Sequence, residues 1–339
     1  MIELGTLGLP EAIAAIIGIA LNAYVLTGGA DFGGGMWDLC ATGPRRASQR
    51  ELIAHSIGPI WEANHVWLIV VVVLLFSAFP SAFSTLGIVL HIPITIMLIG
   101  IVLRGSAFVF RRYGSRNRSA QRRWGLVFSA ASIVTPIFLG IIVGAIAGGT
   151  VGEAAGRPVG EPFAAIFVSP WLAAFPIAVG LFALGLFAFL AATYLTVDAR
   201  DDALRDDFRR RALFMAPIVF VLAAAALVLA GSAAPRLAGG VAGAALLQAA
   251  TAVAAMTAIG MLWLRRYRAA RMAAVAQASL ILWGWLLAQY PNIIPPAMSL
   301  RDAAAPEVTL KLLLVGVGIG AAVLLPSLRY LFGTFRRVA

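Results

Sequence analysis

The sequence predicts an all-α, polytopic integral membrane protein, one transmembrane domain over residues 1–339 with nine spanning helices. Three observations predict it. The chain is 61% hydrophobic and only 12% charged, with a mean hydropathy of +0.93. A soluble domain is about one quarter charged, and a chain this apolar could not cover its own surface in water. It carries nine apolar runs, each near the ~20 residues that a spanning helix needs. Its basic residues fall into every second connection between those runs.

The runs extend from about Pro10 to Ala30, Trp61 to Phe79, Ala82 to Leu103 and Trp124 to Ala147. They continue from about Ala165 to Thr196, Ala212 to Ala230, Gly240 to Leu264, Met272 to Tyr290 and Thr309 to Phe332. Pro80-Ser81 alone joins the second to the third, which predicts a tight hairpin. Trp61, Trp124, Trp171, Trp263 and Tyr290 stand near predicted ends, where amphipathic rings favour the membrane interface. The connections after the odd-numbered runs, with the C-terminal end, hold 22 of the 26 basic residues, and the opposite face holds only Arg157, Arg236, Arg301 and Lys311. By the positive-inside rule the N-terminus is outside and the C-terminus cytoplasmic. Gly148–Pro162 and Asn292–Pro306 read as outer loops, and Val197–Arg211 as a solvated helical turn.

The net charge of +11 does not signal a nucleic-acid partner, because the arginines lie in short clusters between apolar runs. The single cysteine, Cys40, excludes an internal disulfide framework and a multi-cysteine metal site. No Lys or Arg precedes the first apolar run, so that run reads as a retained helix rather than a secretory signal.

Polar residues at membrane depth carry the functional signal, since an ionisable group in lipid is costly and turns toward protein or water. Thr27-Gly28-Gly29-Ala30-Asp31-Phe32-Gly33-Gly34-Gly35 closes the first run. Asp31 there either belongs to a buried site or merely ends the helix near water. The second cluster is Ser56-Ile57-Gly58-Pro59-Ile60-Trp61-Glu62-Ala63-Asn64-His65-Val66-Trp67-Leu68. Glu62 and His65 are three apart and share a helix face. The macrodipole at a helix start explains Glu62, but neither Asn64 nor His65. His91 occupies the third run; it joins helices by hydrogen bonding, or binds a haem together with His65. The third histidine, His55, reads as a loop residue. Arg104 ends the third run and either snorkels to the surface or neutralises Asp31 or Glu62.

These stretches resemble subunit II of the cytochrome bd quinol oxidases. The resemblance runs through Leu26-Thr27-Gly28-Gly29-Ala30-Asp31-Phe32-Gly33, Ser56-Ile57-Gly58-Pro59, Trp61-Glu62-Ala63-Asn64 and Val66-Trp67-Leu68. It continues through Phe79-Pro80, Leu103-Arg104-Gly105, Ala107-Phe108, Phe110-Arg111, Ala192-Thr193-Tyr194-Leu195, Pro291-Asn292-Ile293-Ile294-Pro295 and Leu325-Pro326 with Tyr330. It implies a multi-pass protein of the bacterial plasma membrane, paired with a homologous subunit I. That partner carries haem b, haem d and the quinol site, and a small accessory subunit, lipid or quinone are further partners of the complex. It implies a complex that reduces O₂ to water with cytoplasmic protons, in which this chain binds no cofactor of its own. By motif position Asp31 and Glu62, with His65, would form a proton route, and Trp61, Asn64, Arg104 and His91 its shell. Two positions depart from the family pattern: Gly28 and Val109 stand where acids are usual.

Two other functions fit the same residues. One is a separate haem-binding electron carrier using His65 and His91; the other is a proton-coupled transporter using Asp31 and Glu62. Transporters are built from related halves, and here only Tyr24-Val25-Leu26-Thr27 and Tyr194-Leu195-Thr196 echo one another. On the oxidase reading Glu62 is expected to matter more than Asp31, which sits among glycines where solvent would replace it.

Overall fold

The computed structural model describes residues 8–57, 61–113, 118–158 and 160–338. It is a bundle of helices: α1 (Leu9–Leu39), α2 (Arg46–Ile57), α3 (Trp61–Ala78), α4 (Pro80–Val89), α5 (His91–Tyr113), α6 (Arg118–Ala147) and α7 (Thr150–Ala155). Then come α8 (Phe163–Phe167), α9 (Ala174–Asp198), α10 (Asp202–Ala233), α11 (Pro235–Gly243), α12 (Ala245–Trp263), α13 (Tyr267–Gln289) and α14 (Glu307–Val338). Two short antiparallel strands, β1 (Asn292–Ile294) and β2 (Met298–Ser299), sit between α13 and α14.

Among the described residues eight helices are long and apolar enough to cross a membrane: α1, α5, α6, α9, α10, α12, α13 and α14. Residues 64–78 of α3 and α4 pass the same test as a pair bent by 115°, which makes nine if the pair is one span. The chain is therefore an integral membrane protein of eight or nine spans.

α9 is the hub. A run from Gly185 to Thr193 is buried without interruption, and α9 packs against α1, α6, α10 and α13. Small residues allow the approach. A Cβ on Gly33 of α1 would overlap the Phe187 carbonyl, and one on Gly140 of α6 would stand 2.6 Å from the Cα of Gly180. Without a hydrophobic drive between helices in lipid, such close contact is what holds spans together. The Trp37 indole of α1 donates to the Ala188 carbonyl of α9 at 2.8 Å, which satisfies one more buried polar atom. By contrast, the spanning part of α14 is only 6% buried, and so lies at the rim.

Four sequence expectations change. α1 does not end at Ala30 but continues to Leu39, so Asp31 lies inside the helix. The third span starts at His91 rather than Ala82, because the chain bends by 115° from α3 into α4, and α4 ends before Leu90; Pro80-Ser81 is no hairpin tip. The run from Gly240 to Leu264 is split, since Pro235 starts the short α11 before α12 begins at Ala245. His55 is in the last turn of α2, a helix whose polar composition hid it among the loops.

Candidate functional site

Asp31 and Arg104 meet in the interior. Arg104 Nη2 donates to Asp31 Oδ1 at 2.5 Å and to the Asp31 carbonyl at 3.3 Å, and its Nε donates to Ser132 Oγ at 3.1 Å. Arg104 is 2% and Asp31 5% exposed, so this is a dry pair. The guanidinium lies 4.9 Å from the Phe32 ring centroid and 5.1 Å from that of Phe128. Arginine suits this position because its planar group can stack on aromatic faces and still direct its donors at a carboxylate.

Two of the other sequence candidates lie near this pair. Asn64 and His65, on the first turns of α3, lie near the Asp31 carboxylate. Asn64 is buried, and its Nδ2 makes no hydrogen bond. His65 also lines a groove of about 420 Å³ with Ile101, Val102, Gly105, Ser106, Val109 and Phe110 of α5. Trp61 and Glu62 belong to the first turn of α3, but their side chains lie outside the described residues. The expectation that solvent replaces Asp31 does not hold, because its helix position and Arg104 exclude water from it. Arg104 does not snorkel; it neutralises Asp31.

His91 is elsewhere. It begins α5, is exposed, bonds through Nδ1 with the Ile88 carbonyl at 2.8 Å, and meets the Phe167 ring edge-on. Ile101, the groove residue nearest to it in sequence, is ten residues along α5, or ~15 Å. Two axial imidazoles must face one iron from opposite sides, so His65 and His91 do not fit a shared haem. Among the described residues no group of three or more His, Cys, Asp or Glu could hold a metal ion.

A second ion pair lies outside the sequence candidates. Asp38 of α1 is 1% exposed and receives both arms of Arg111, at 2.9 and 3.0 Å. Arg50 of α2 stands 3.7 Å from the same carboxylate and donates to the Asp38 carbonyl. Burial pulls the Arg50 guanidinium below its ordinary pKa, and the Asp38 charge opposes that shift. Phe128 of α6 lies between the two arginines, with Arg111 6.0 Å from its centroid. Both pairs join residues 73 positions apart. Asp31 and Asp38 are seven apart on α1, and Arg104 and Arg111 are seven apart on α5, so each rung is ~10 Å from the other. α1 and α5 must then run parallel. Two acids and two arginines repeating at the same seven-residue interval was the signal that could have revealed this.

Gly28 and Val109, the positions without the expected acids, border this region. A Cβ on Gly28 would stand 3.1 Å from the Tyr24 ring, and Val109 lines the groove beside His65.

The comparisons with known proteins agree with this architecture. The family model described as cytochrome bd terminal oxidase subunit II matches residues 9–335. The cytochrome bd ubiquinol oxidase subunit 2 of Bacillus subtilis (strain 168) is 32% identical over 130 residues, 38% of this chain and 37% of that protein. The cytochrome bd-I ubiquinol oxidase subunit 2 of Escherichia coli (strain K12) is 27% identical over 126 residues, 37% of this chain and 32% of that protein. Each of these alignments thus spans about a third of the curated relative. A chain of the solved bd oxidase of Geobacillus thermodenitrificans superposes with a TM-score of 0.79 at 20% identity, over 96% of this chain and 98% of that one.

Proposed function

The chain belongs to the cytochrome bd terminal oxidase subunit II family, and from that premise we propose that it is the non-haem subunit of a quinol:O₂ oxidoreductase. It works in a bacterial plasma membrane, paired with a subunit I that carries haem b, haem d and the quinol site. A small accessory subunit, lipid or quinone complete the assembly. Quinol supplies electrons, and O₂ with four electrons and four protons gives two waters. This chain braces the partner and conducts protons from the cytoplasm.

The observation that carries the reading is the dry Asp31–Arg104 pair beneath Asn64 and His65. Asp31, Glu62 and His65 form the proton route, and Arg104 fixes the Asp31 carboxylate in place. Glu62 is one turn before His65 on α3, and a carboxylate–imidazole relay along that face would lead protons to the groove beside Gly105 and Ser106. For protons to reach the oxygen chemistry, the partner must cover that groove. Trp61, Asn64 and Arg104 hold the acids in place, and His91, at the far end of α5, stands outside the relay.

We further propose nine crossings with a cytoplasmic C-terminus. The 22-to-4 partition of basic residues supports it. So does parity: α1 and α5 run parallel, which requires one crossing between them, and only α3 with α4 is available.

The test is quinol-driven oxygen uptake in membranes of equal haem content. Glu62→Gln keeps size and hydrogen bonding but removes the exchangeable proton, and is expected to slow uptake at least tenfold while the haems assemble normally. General acid–base groups contribute about 10²–10⁴-fold where they are rate-limiting. Undiminished turnover would leave this chain a purely structural role.

A further inference from the structure

Beyond the proton route, the Arg-rich face of the bundle holds a second cavity, of about 320 Å³, between the α1–α2 connection and the start of α10. Arg45, Arg210 and Arg211 line it, with Asp207 as its acid. The acid is already matched: Arg45 donates to both of its oxygens, at 2.8 and 2.6 Å, and Gln49 Nε2 adds a bond at 2.8 Å. Two positive charges remain. Arg211 is anchored through Nη2 to Gln49 Oε1 at 2.7 Å and to the Cys40 carbonyl at 3.2 Å, and stacks 5.3 Å from Trp37 and 5.0 Å from Phe208. Its Nη1 is buried without a partner. Arg211 lines the cavity with its guanidinium held in place, and a fixed cation needs little reorganisation to meet an anion. Arg210 lines the same cavity, exposed, with no ion pair among the described residues.

The surface beside the cavity indicates the source of the anion. Phe214, Pro217, Val221 and Val228 of α10 are exposed and follow Arg210 at intervals of 4, 7, 11 and 18. At 3.6 residues per turn they form one stripe along the helix directly from Arg210. A free phosphate has no use for that stripe; an acyl chain attached to a phosphate does. We propose that this cavity binds the phosphate of an anionic phospholipid headgroup, ligated by Arg210 and Arg211, with an acyl chain laid along α10.

The test uses the purified complex and native mass spectrometry, titrating dioctanoyl-phosphatidylglycerol, the uncharged dioctanoylglycerol and inorganic phosphate. Arg210→Gln sits on an exposed residue and leaves the Arg211 anchors intact, so folding is preserved. Wild type is expected to bind one more saturable phosphatidylglycerol than it binds dioctanoylglycerol. Arg210→Gln should weaken that site about tenfold, the loss of one charge-assisted hydrogen bond, and Arg210→Lys should restore part of it. Equal phosphatidylglycerol binding by wild type and Arg210→Gln would overturn the proposal, as would dioctanoylglycerol binding as tightly as phosphatidylglycerol. Inorganic phosphate binding as tightly as the lipid would overturn the lipid assignment and leave a free-anion site. Oxygen uptake plays no part in the readout, so the outcome is separate from that of the proton route.

Discussion

Arg104 ties the interior together, because it answers a carboxylate, a carbonyl, a hydroxyl and two aromatic faces at once. Removing one partner of a buried pair strands the other charge, at about 3–5 kcal/mol. Arg104→Ala is therefore expected to lower the yield of folded complex sharply, and its thermal midpoint in detergent should fall. Asp31→Asn should do the same, whereas Asp31→Leu combined with Arg104→Met should recover much of the loss, since no charge is left unmatched. A double variant no better than Asp31→Asn would show that the pair's worth lies in specific hydrogen bonds rather than in neutralisation. Arg104→Lys is expected to fail as well: a point charge cannot reach Asp31 and Ser132 while stacking between Phe32 and Phe128. The residues of this cluster were legible in the sequence as polar groups in apolar runs. Their pairing was not, because charge alone does not say whether Arg104 meets Asp31, Glu62 or water, and ending α1 at Ala30 left Asp38 outside every predicted span.

At the scale of the helix, packing is decided by what a glycine allows. Gly33 and Gly316 are both helical glycines, yet a Cβ at the first would overlap the α9 backbone and at the second would meet nothing within 4 Å. Gly33→Ala is expected to destabilise by about 1–3 kcal/mol through overpacking, whereas Gly316→Ala should be neutral or stabilising by up to ~1 kcal/mol through reduced backbone freedom. Thermal unfolding of the two complexes side by side checks this, and equal midpoints would mean that α1 can shift away from α9 without loss. Hydropathy located the spanning helices because lipid demands the same ~20 apolar residues of each. It misread their ends wherever a break lay inside an apolar stretch. Leu90 and Ala244 interrupt the helices but are themselves apolar, so hydropathy does not register them, and the glycines after Asp31 looked like a terminus although Gly33 packs on α9 and Gly35 on α6 within the helix.

For the whole molecule, the parallel run of α1 and α5 constrains topology more firmly than hydropathy does. A reporter fused to the C-terminus is expected to be active only in the cytoplasm; activity confined to the outer face would require an even number of crossings with the N-terminus outside. The chain expressed alone is expected to show no haem absorption band, since His65 and His91 cannot share an iron. A stoichiometric haem lost in His65→Ala or His91→Ala would overturn that expectation. The heavily buried α9 and the barely buried α14 mark opposite roles: one organises the bundle and the other meets whatever surrounds it.

The two rungs between α1 and α5 also set a schedule for synthesis. Asp31 and Asp38 leave the ribosome 73 residues before the arginines that match them. At about 5–20 residues per second, α1 waits roughly 4–15 s for the α5 arginines, with Arg50 already near Asp38 and Asp31 still unmatched. Lipid is a poor place to wait, so the helix must linger in the insertion machinery or in water until α5 arrives. Nascent chains stalled just before Arg104 should therefore leave α1 extractable by carbonate, and chains stalled beyond Arg111 should retain it. The interval between those two residues is then the point at which this protein commits to the membrane.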